Sequence, residues 1–334
     1  HTLFIKRHQD VKITILIVYV DDIIVTGTHE EEISRLKKIL SKEFEIKDLG
    51  ALKYFLGMEI ARKRKGIFIS QRKYTLDLLK ETGMLGCKPF DTPMDSFNKI
   101  GSKENQAAID EGRYQRLVGK LIYLSHTRPD ICFAVSVVSQ FMNNPTEEHQ
   151  EAVYKILHKM TPGTGLFFKK GSSRNIEIFS DADWAGSLID RRSTSGYCTY
   201  VWGNLVTWRS KKQPVVARSS AEAEFRAMAH GICEGIWLMR LLEELQVPIT
   251  TSMKLMCDNL AAIRIAKNPV HHDRTKHVEI DRHFIKEKIE QKVLEVCYTP
   301  TQQQTADILT KALPRAQFEQ HLSKLGMIDI HSPA

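Results

Sequence analysis

Cysteine is present but never in a pattern that does chemistry: Cys87, Cys132, Cys198, Cys233, Cys257 and Cys297 lie far apart, with no CxxC pair among the 334 residues. Neither a disulfide framework nor a zinc site follows from that spacing, and a reducing compartment fits best. Long apolar runs are missing too. None approaches the roughly 20 residues that cross a bilayer, and no N-terminal signal pattern is visible, so a soluble chain without a membrane partner is expected. There is no internal repeat and no low-complexity tract, which leaves the elements to be read one at a time. An initiating methionine is lacking as well: the chain opens at His1 and enters a strand-like stretch within a few residues, as expected of a piece cut from something longer.

What remains is ordinary globular composition. With 42% hydrophobic and 26% charged residues, the length suffices for about two domains with real cores. Lysine and arginine number 48 against 40 aspartates and glutamates, a formal charge of +8. That excess favours a polyanionic partner, although many soluble proteins share it.

Val11 to Val20 is a nearly continuous apolar run, Asp21 and Asp22 follow, and Ile23 to Val25 is apolar again, which predicts a buried hairpin with acids at its tip. A helix is expected from about Glu30 to Phe44, where Ile33, Leu36, Ile39 and Leu40 recur at helical spacing, and then a strand pair joined by the basic turn Arg62 to Gly66. Polar residues with Pro89 and Pro93 break the pattern to about Asp110. Three helices are expected next, Tyr114 to His126, Asp130 to Met142 and Thr146 to Met160, as a connector. Gly163, Gly165, Gly171 and the pair Ser172-Ser173 mark a boundary, and the last domain is placed from residue 172.

Beyond it the predicted order is strand (Asn175 to Ser180), strand (Thr194 to Trp202), strand (Leu205 to Arg209), long helix (Ser219 to Leu245), strand (Lys254 to Cys257), two helices, strand (Val293 to Tyr298) and helix. This α/β order matches the RNase H fold, a five-stranded mixed sheet with flanking helices, without excluding other α/β domains. The carboxylates carry more information. Phosphodiester hydrolysis by two divalent ions needs acids that meet from different elements, because one ion activates water and the other stabilises the leaving oxygen. Asp181 is expected to close the first strand, Glu224 to lie in the first turns of the long helix, Asp258 to end the fourth strand and Asp307 to begin the last helix, a set that can converge at one rim of the sheet. Plainer roles stay open: Asp258 as a helix N-cap, Asp307 as the partner of Lys311. Glu224 is preferred to Glu222 because it lies ahead of the core-facing Met228 and Ile232, whereas Glu222 faces Arg226; Asp183 shares the parity of Asp181 and remains a second choice.

The stretches Ser180-Asp181-Ala182-Asp183-Trp184-Ala185-Gly186, Asp190-Arg191-Arg192-Ser193-Thr194-Ser195-Gly196-Tyr197, Ser219-Ser220-Ala221-Glu222-Ala223-Glu224, Cys257-Asp258-Asn259, Arg274-Thr275-Lys276-His277 and Ala306-Asp307-Ile308-Leu309-Thr310-Lys311 resemble, in order, the RNase H domain of copia-type LTR retrotransposons. The resemblance implies a hybrid-specific endonuclease in which Asp181, Glu224, Asp258 and Asp307 bind two Mg2+ ions. Cellular relatives often carry a histidine just before the final acid; this loop reads Thr299-Pro300-Thr301-Gln302-Gln303-Gln304, so that route for a proton is not expected here.

The first half has a counterpart. Tyr19-Val20-Asp21-Asp22 resembles the YxDD hairpin of reverse transcriptases, whose acids hold polymerase metals; two adjacent like charges between apolar strands are costly without a cation, though aspartates also suit turns. Tyr54-Phe55-Leu56-Gly57-Met58-Glu59-Ile60 resembles the primer-grip hairpin, with Phe55, Leu56 and Gly57 at its turn, and Leu117-Val118-Gly119 with Thr127-Arg128-Pro129-Asp130 resembles the connector. The implied organisation is the C-terminal part of a reverse transcriptase palm and thumb at 1–95, a helical connector at 96–171 and RNase H at 172–334, with the remainder of a Pol polyprotein upstream. A family polymerase needs a further palm aspartate; of the residues before Asp21 only Asp10 is acidic, in unrelated surroundings, so this chain alone is not expected to polymerise DNA. The stretch Lys155 to Leu166 reads as shortened, as in a decaying copy. A palm without its early strands should leave a bare edge and apolar surface around Ile13 to Val18.

An RNA:DNA hybrid as partner needs cations along its phosphates. Candidates are Arg191 and Arg192, then Arg209, Lys211 and Lys212, then Arg274 and Lys276. His271, His272, His277 and His283 lack zinc spacing and are read as surface or packing residues. Trp184, Trp202, Trp208 and Trp237 are read as core. The family resemblance implies a cytoplasmic virus-like particle with nuclear access.

Overall fold

The computed structural model describes residues 2–96, 100–101, 107–171, 173–267 and 279–330. Apolar alternation at the start builds an antiparallel meander of β1 (Leu3–Arg7), β2 (Ile13–Tyr19) and β3 (Asp22–Gly27); the second tip is Val20 and Asp21, while Asp22, also expected there, opens β3 opposite Tyr19, and the hairpin expected to be buried is only partly so. The expected bare edge is corrected: Leu3↔Ile17 through Arg7↔Ile13 pair along β2 and make it the central strand. The strand-like stretch read just after His1 is β1; what the sequence did not show is that it pairs along β2. Apolar surface is left uncovered all the same. Helix α1 (Glu30–Glu43), capped by His29 Nδ1 accepting from Glu32 N–H, buries no residue, and Leu3, Phe4, Val20 and Ile23 stay exposed.

Strands β4 (Tyr54–Phe55), β5 (Met58–Lys63) and β6 (Gly66–Ser70) follow. Leu56 and Gly57 join the first two with φ of +47° and +72°, the two-residue turn whose twist suits a tight hairpin. Next come α2 (Arg72–Glu81), α3 (Glu111–Leu124), α4 (Cys132–Val138) and α5 (Glu147–Lys159), packed around Leu121, Leu124, Val138 and Ile156. The three connector helices were expected; α2 was not. Strand β7 (Thr164–Lys169), also unexpected, lies where glycines read as a boundary. It pairs with β6 on one side and with β13 (Met327–Asp329) on the other, so one sheet takes strands from both sides of residue 172.

The remaining elements are β8 (Ile176–Asp183), β9 (Thr194–Val201), β10 (Asn204–Lys212), α6 (Ser220–Glu244), β11 (Met253–Cys257), α7 (Leu260–Lys267), α8 (Glu279–Glu290), β12 (Leu294–Tyr298) and α9 (Arg315–Lys324). The sheet runs β10-β9-β8-β11-β12, antiparallel through β8 and parallel beyond it. This is the five-stranded mixed sheet expected. Helix α6 lies close on it because Gly231 and Gly235 lack side chains: an added Cβ would sit 2.9 Å and 2.6 Å from the side chain of fully buried Ile178. No helix among the described residues is long and apolar enough to cross a membrane.

The connector motif acquires a physical meaning. Arg128, 2% exposed, forks onto Asp130 through Nε–Oδ1 at 2.8 Å and Nη2–Oδ2 at 2.7 Å, while the Thr127 hydroxyl donates to Gln71 Oε1 at 2.8 Å. Removing one partner of such a pair strands the other charge out of water. Asp130→Ala is therefore expected to cost about 3–5 kcal/mol in urea unfolding; a loss below about 1 kcal/mol, the level of a surface pair, would show that Arg128 finds another partner.

Candidate active site

Parallel strands β8 and β11 end at the same rim, and that rim collects the acids. Asp181 does not close its strand: β9 keeps pairing through Asp181↔Gly196 and Asp183↔Thr194, so Asp181 is an interior strand residue, 3% exposed. Asp258 directly follows β11. It is not the cap of α7, because Asn259 Oδ1 takes the Ala262 N–H at 3.0 Å; Asp258 accepts from the Thr301 hydroxyl at 2.8 Å instead. Ser219 caps α6, Glu222 turns outward to Arg226 at 3.1 Å, and Glu224 points inward, where Oε1 accepts the Ala182 N–H at 3.3 Å.

Asp307 corrects the expectation that it begins the last helix. It sits in a short 3-10 turn, Thr305–Leu309, and α9 starts only at Arg315, after Pro314. Side chains hold that turn down. Fully buried Gln304 donates from Nε2 to the carbonyls of Ser180 at 2.9 Å and Met256 at 3.4 Å, tying it to both strands, and the Thr310 hydroxyl donates to Asp181 Oδ2. Gly196 lies beneath, where a Cβ would stand 2.7 Å from Thr310 Cγ2. Gln304 has no signature in the sequence, being one glutamine in a polar run.

The result is convergence. Carboxylate oxygens of Asp181, Asp258 and Asp307 lie within 4.8 Å of one another, and Glu224, Asp258 and the Cys257 sulfur form a second such group. Burial pushes the Cys257 thiol up, so it stays protonated and the oxygens are left as donors. Burial also raises Asp181 and Glu224 above the ordinary carboxylate range and brings Asp307 up to about 7; the Asp181 charge adds to the rise of the other two. Lys311 is the counterweight, with Nζ 3.0 Å from Asp307 Oδ1 and 3.7 Å from Asp181 Oδ2. Against burial, those two acids hold its ammonium charged well above the usual lysine range. An all-carboxylate set suits a hard divalent cation, and Glu224 Oε2, buried without a hydrogen-bond partner, is an oxygen that such an ion would satisfy.

Other expected residues are placed elsewhere. Asp21 and Asp22 are exposed at their hairpin tip and belong to neither group of ligating side chains among the described residues. At the β4–β5 turn, Phe55 is half-buried, the Leu56 carbonyl accepts the Tyr123 hydroxyl, and a side chain at Gly57 would collide with that hydroxyl. Arg191, at φ +55°, and Arg192 flank Asp190, which also takes Lys212 Nζ at 2.9 Å. Burial opposes ionisation of Asp190, but Lys212, Ser187 and the Arg192 N–H bring it down to about 2. Arg209 and Lys211 stay exposed on β10, whereas Arg274 and Lys276, like His271, His272 and His277, lie outside the described residues. Two tryptophans are not core: Trp184 is 49% exposed, its indole N–H on the Ala217 carbonyl at 3.0 Å, and Trp237 is 52% exposed.

The sheet order and the acidic rim give the C-terminal part of the chain an RNase H-like fold. A reverse transcriptase (RNA-dependent DNA polymerase) family profile matches residues 1–96. The chain is 43% identical to the retrovirus-related Pol polyprotein from transposon RE1 of Arabidopsis thaliana, over 94% of this chain and 22% of that protein. Against the Pol polyprotein from transposon TNT 1-94 of Nicotiana tabacum it is 38% identical, over 97% and 25%. An uncharacterized mitochondrial protein of Arabidopsis thaliana is 42% identical, over 66% of this chain and 93% of its own length. The chain belongs to the copia-type retrotransposon Pol polyproteins, and spans about a quarter of the length of these polyproteins or less. Among solved structures, the N-terminal RNase H domain of a Mycobacterium tuberculosis protein aligns with a TM-score of 0.32 and 13% identity, over 45% of this chain and 98% of that one. A foamy viral protease–reverse transcriptase aligns at 0.43 and 13%, over 86% and 46%.

Two outcomes follow from the charge balance. Asp181, Glu224 and Asp307 hold protons more tightly folded than unfolded, so their contribution to stability is full below the unfolded carboxylate range near pH 4 and is lost as pH rises through their raised folded values, about 7 for Asp307. The rise in Tm produced by a fixed Mg2+ concentration is therefore expected to be larger at about pH 8 than at about pH 5.5. Lys311→Met should lower the Tm of the metal-free protein yet tighten Mn2+ binding about tenfold by calorimetry, a 1.4 kcal/mol change; unchanged affinity would place the ammonium clear of the ion.

Proposed function

We propose that this chain acts as a ribonuclease H, an endonuclease that hydrolyses the RNA strand of RNA:DNA hybrids. The carrying observation is the meeting of Asp181, Glu224, Asp258 and Asp307 from four separate elements at one rim. Two Mg2+ ions, when bound, supply an activated water and stabilise the leaving oxygen. The chain's own residues do the rest. Asp181, rooted in the sheet, and Asp307, pinned by Gln304 and Thr310, present fixed oxygens that need no reorganisation. Glu224 keeps one oxygen on the Ala182 N–H and offers the other to the site. Thr301, in the loop where cellular relatives often carry a histidine, orients Asp258 by its hydroxyl. Arg209 and Lys211, exposed and charged, are suited to hybrid phosphates, as are Arg191 and Arg192 beside Asp190.

Residues 1–96 support a second activity of the same family, in which Asp21 and Asp22 hold polymerase metals and the Phe55–Gly57 turn meets the primer. Among the described residues Asp21 and Asp22 belong to neither group of side chains that could hold a metal, and primer extension by the purified chain tests this reading. The division into palm and thumb (1–95), connector (96–171) and RNase H (172–334) accompanies this reading, with β7 and β13 tying first and last together.

Purified protein with Mg2+ and end-labelled hybrid should cut the RNA strand. Asp258→Asn should slow cleavage by about a hundredfold or more, the loss of roughly 3 kcal/mol of transition-state stabilisation, without weakening hybrid binding, while Glu222→Gln cuts normally. Salt-dependent hybrid binding with the RNA left intact by the unsubstituted chain would identify a hybrid-binding remnant instead.

A further inference from the structure

The rim of the RNase H-like sheet opposite the acids carries a charge pattern that the nuclease reading leaves unused. Strand β8 begins there at Ile176, five residues before Asp181, which separates the two rims by about 17 Å at 3.3 Å per residue. Three loops meet at that rim. The β5–β6 turn brings Lys63, Arg64 and Lys65; the end of β7 brings Lys169 and Lys170; the approach to β8 brings Arg174. Backbone contacts stitch them together. Gly66 pairs with Lys169, and the Lys170 N–H donates to the Lys65 carbonyl at 3.2 Å. Asn204 bonds both the N–H and the carbonyl of Lys169, at 2.7 Å and 3.0 Å, and the Trp202 N–H donates to the Asn175 carbonyl at 3.1 Å. The Arg174 guanidinium lies over the Trp202 ring, 4.6 Å from its centre.

All six cations are exposed, and among the described residues none of them forms an ion pair. Some cations elsewhere are paired: Lys37 with Asp48 at 2.9 Å, and Arg315 with Asp91 at 3.0 Å. Six like charges on loops fixed to one another raise the local positive potential, which attracts a polyanion. We propose that this ridge is a second nucleic-acid contact, gripping the sugar-phosphate backbone of a strand without reading its bases. A separation of about 17 Å is about five nucleotide steps at 3.4 Å each, so the ridge and the acids meet different phosphates. The match of residues 1–96 to a reverse transcriptase family favours nucleic acid over an acidic protein or a lipid surface.

The test uses the full chain in an Asp258→Asn background, which silences hydrolysis and makes the result independent of the nuclease reading. A fluorescein-labelled 20-nucleotide oligo(U) is titrated by anisotropy over a range of salt concentrations. Changing Lys63, Arg64, Lys65 and Lys170 to Gln should weaken binding at least about tenfold and reduce the salt slope by about 3, four phosphates at about 0.7 each. A control with the same loss of charge, Lys38, Lys42, Lys47 and Lys88 to Gln, should leave the slope within about one unit. Equal losses in both variants would reduce the effect to net charge and overturn the proposal. So would an unchanged ridge variant, or one that keeps oligo(U) but loses phosphatidylserine vesicles, which would assign the ridge to a lipid surface.

Discussion

Carboxyl groups buried within 4.8 Å of one another repel each other and forgo the water that would screen them. Every unusual feature of the rim answers to that crowding. Lys311 leans between Asp307 and Asp181, Thr310 hydrogen-bonds Asp181, a backbone N–H meets Glu224, and burial brings Asp307 up to about 7. These arrangements hold the acids together without fully neutralising them. Such a site folds and still leaves Glu224 Oε2 without a partner, the setting that the proposed metal-dependent hydrolysis requires.

The architecture that delivers the acids is built from close contacts rather than from the acids themselves. Gly231 and Gly235 let α6 approach β8, Gly196 lets the Asp307 turn lie on β9, and Gln304 spans β8 and β11. Each is a place where volume or a hydrogen bond, not charge, sets the distance between ligands. The buried pair of Arg128 and Asp130 has a comparable role in the helical part, where a motif quoted for its resemblance proves to be an internal fork of hydrogen bonds.

Much of this was legible beforehand. Long periodic elements such as α6 and the β8–β10 meander appear where alternation placed them, and Glu224 could be separated from Glu222 because Met228 and Ile232 define an inward stripe. What escaped was short or irregular. Thr164–Lys169 is a strand only because β6 and β13 pair with it, the pairing of Leu3–Arg7 with β2 was not foreseen, and α2 lay in a region read as polar and broken. The setting of Asp307 was hidden for another reason: a 3-10 turn held by side chains from distant strands has no periodicity to detect, and Gln304 resembles its neighbours until the carbonyls of Ser180 and Met256 are seen beside it.

The sheet that runs β13-β7-β6-β5-β4 pairs Leu166 with Met327, positions about 160 residues apart along the chain. During synthesis β7 emerges long before its neighbour does, so this edge stays open while the whole RNase H-like sheet is being made. Completion of this sheet is thereby deferred until Met327–Asp329 has been made, and a chain cut short before Met327 keeps a ready template for pairing with other strands.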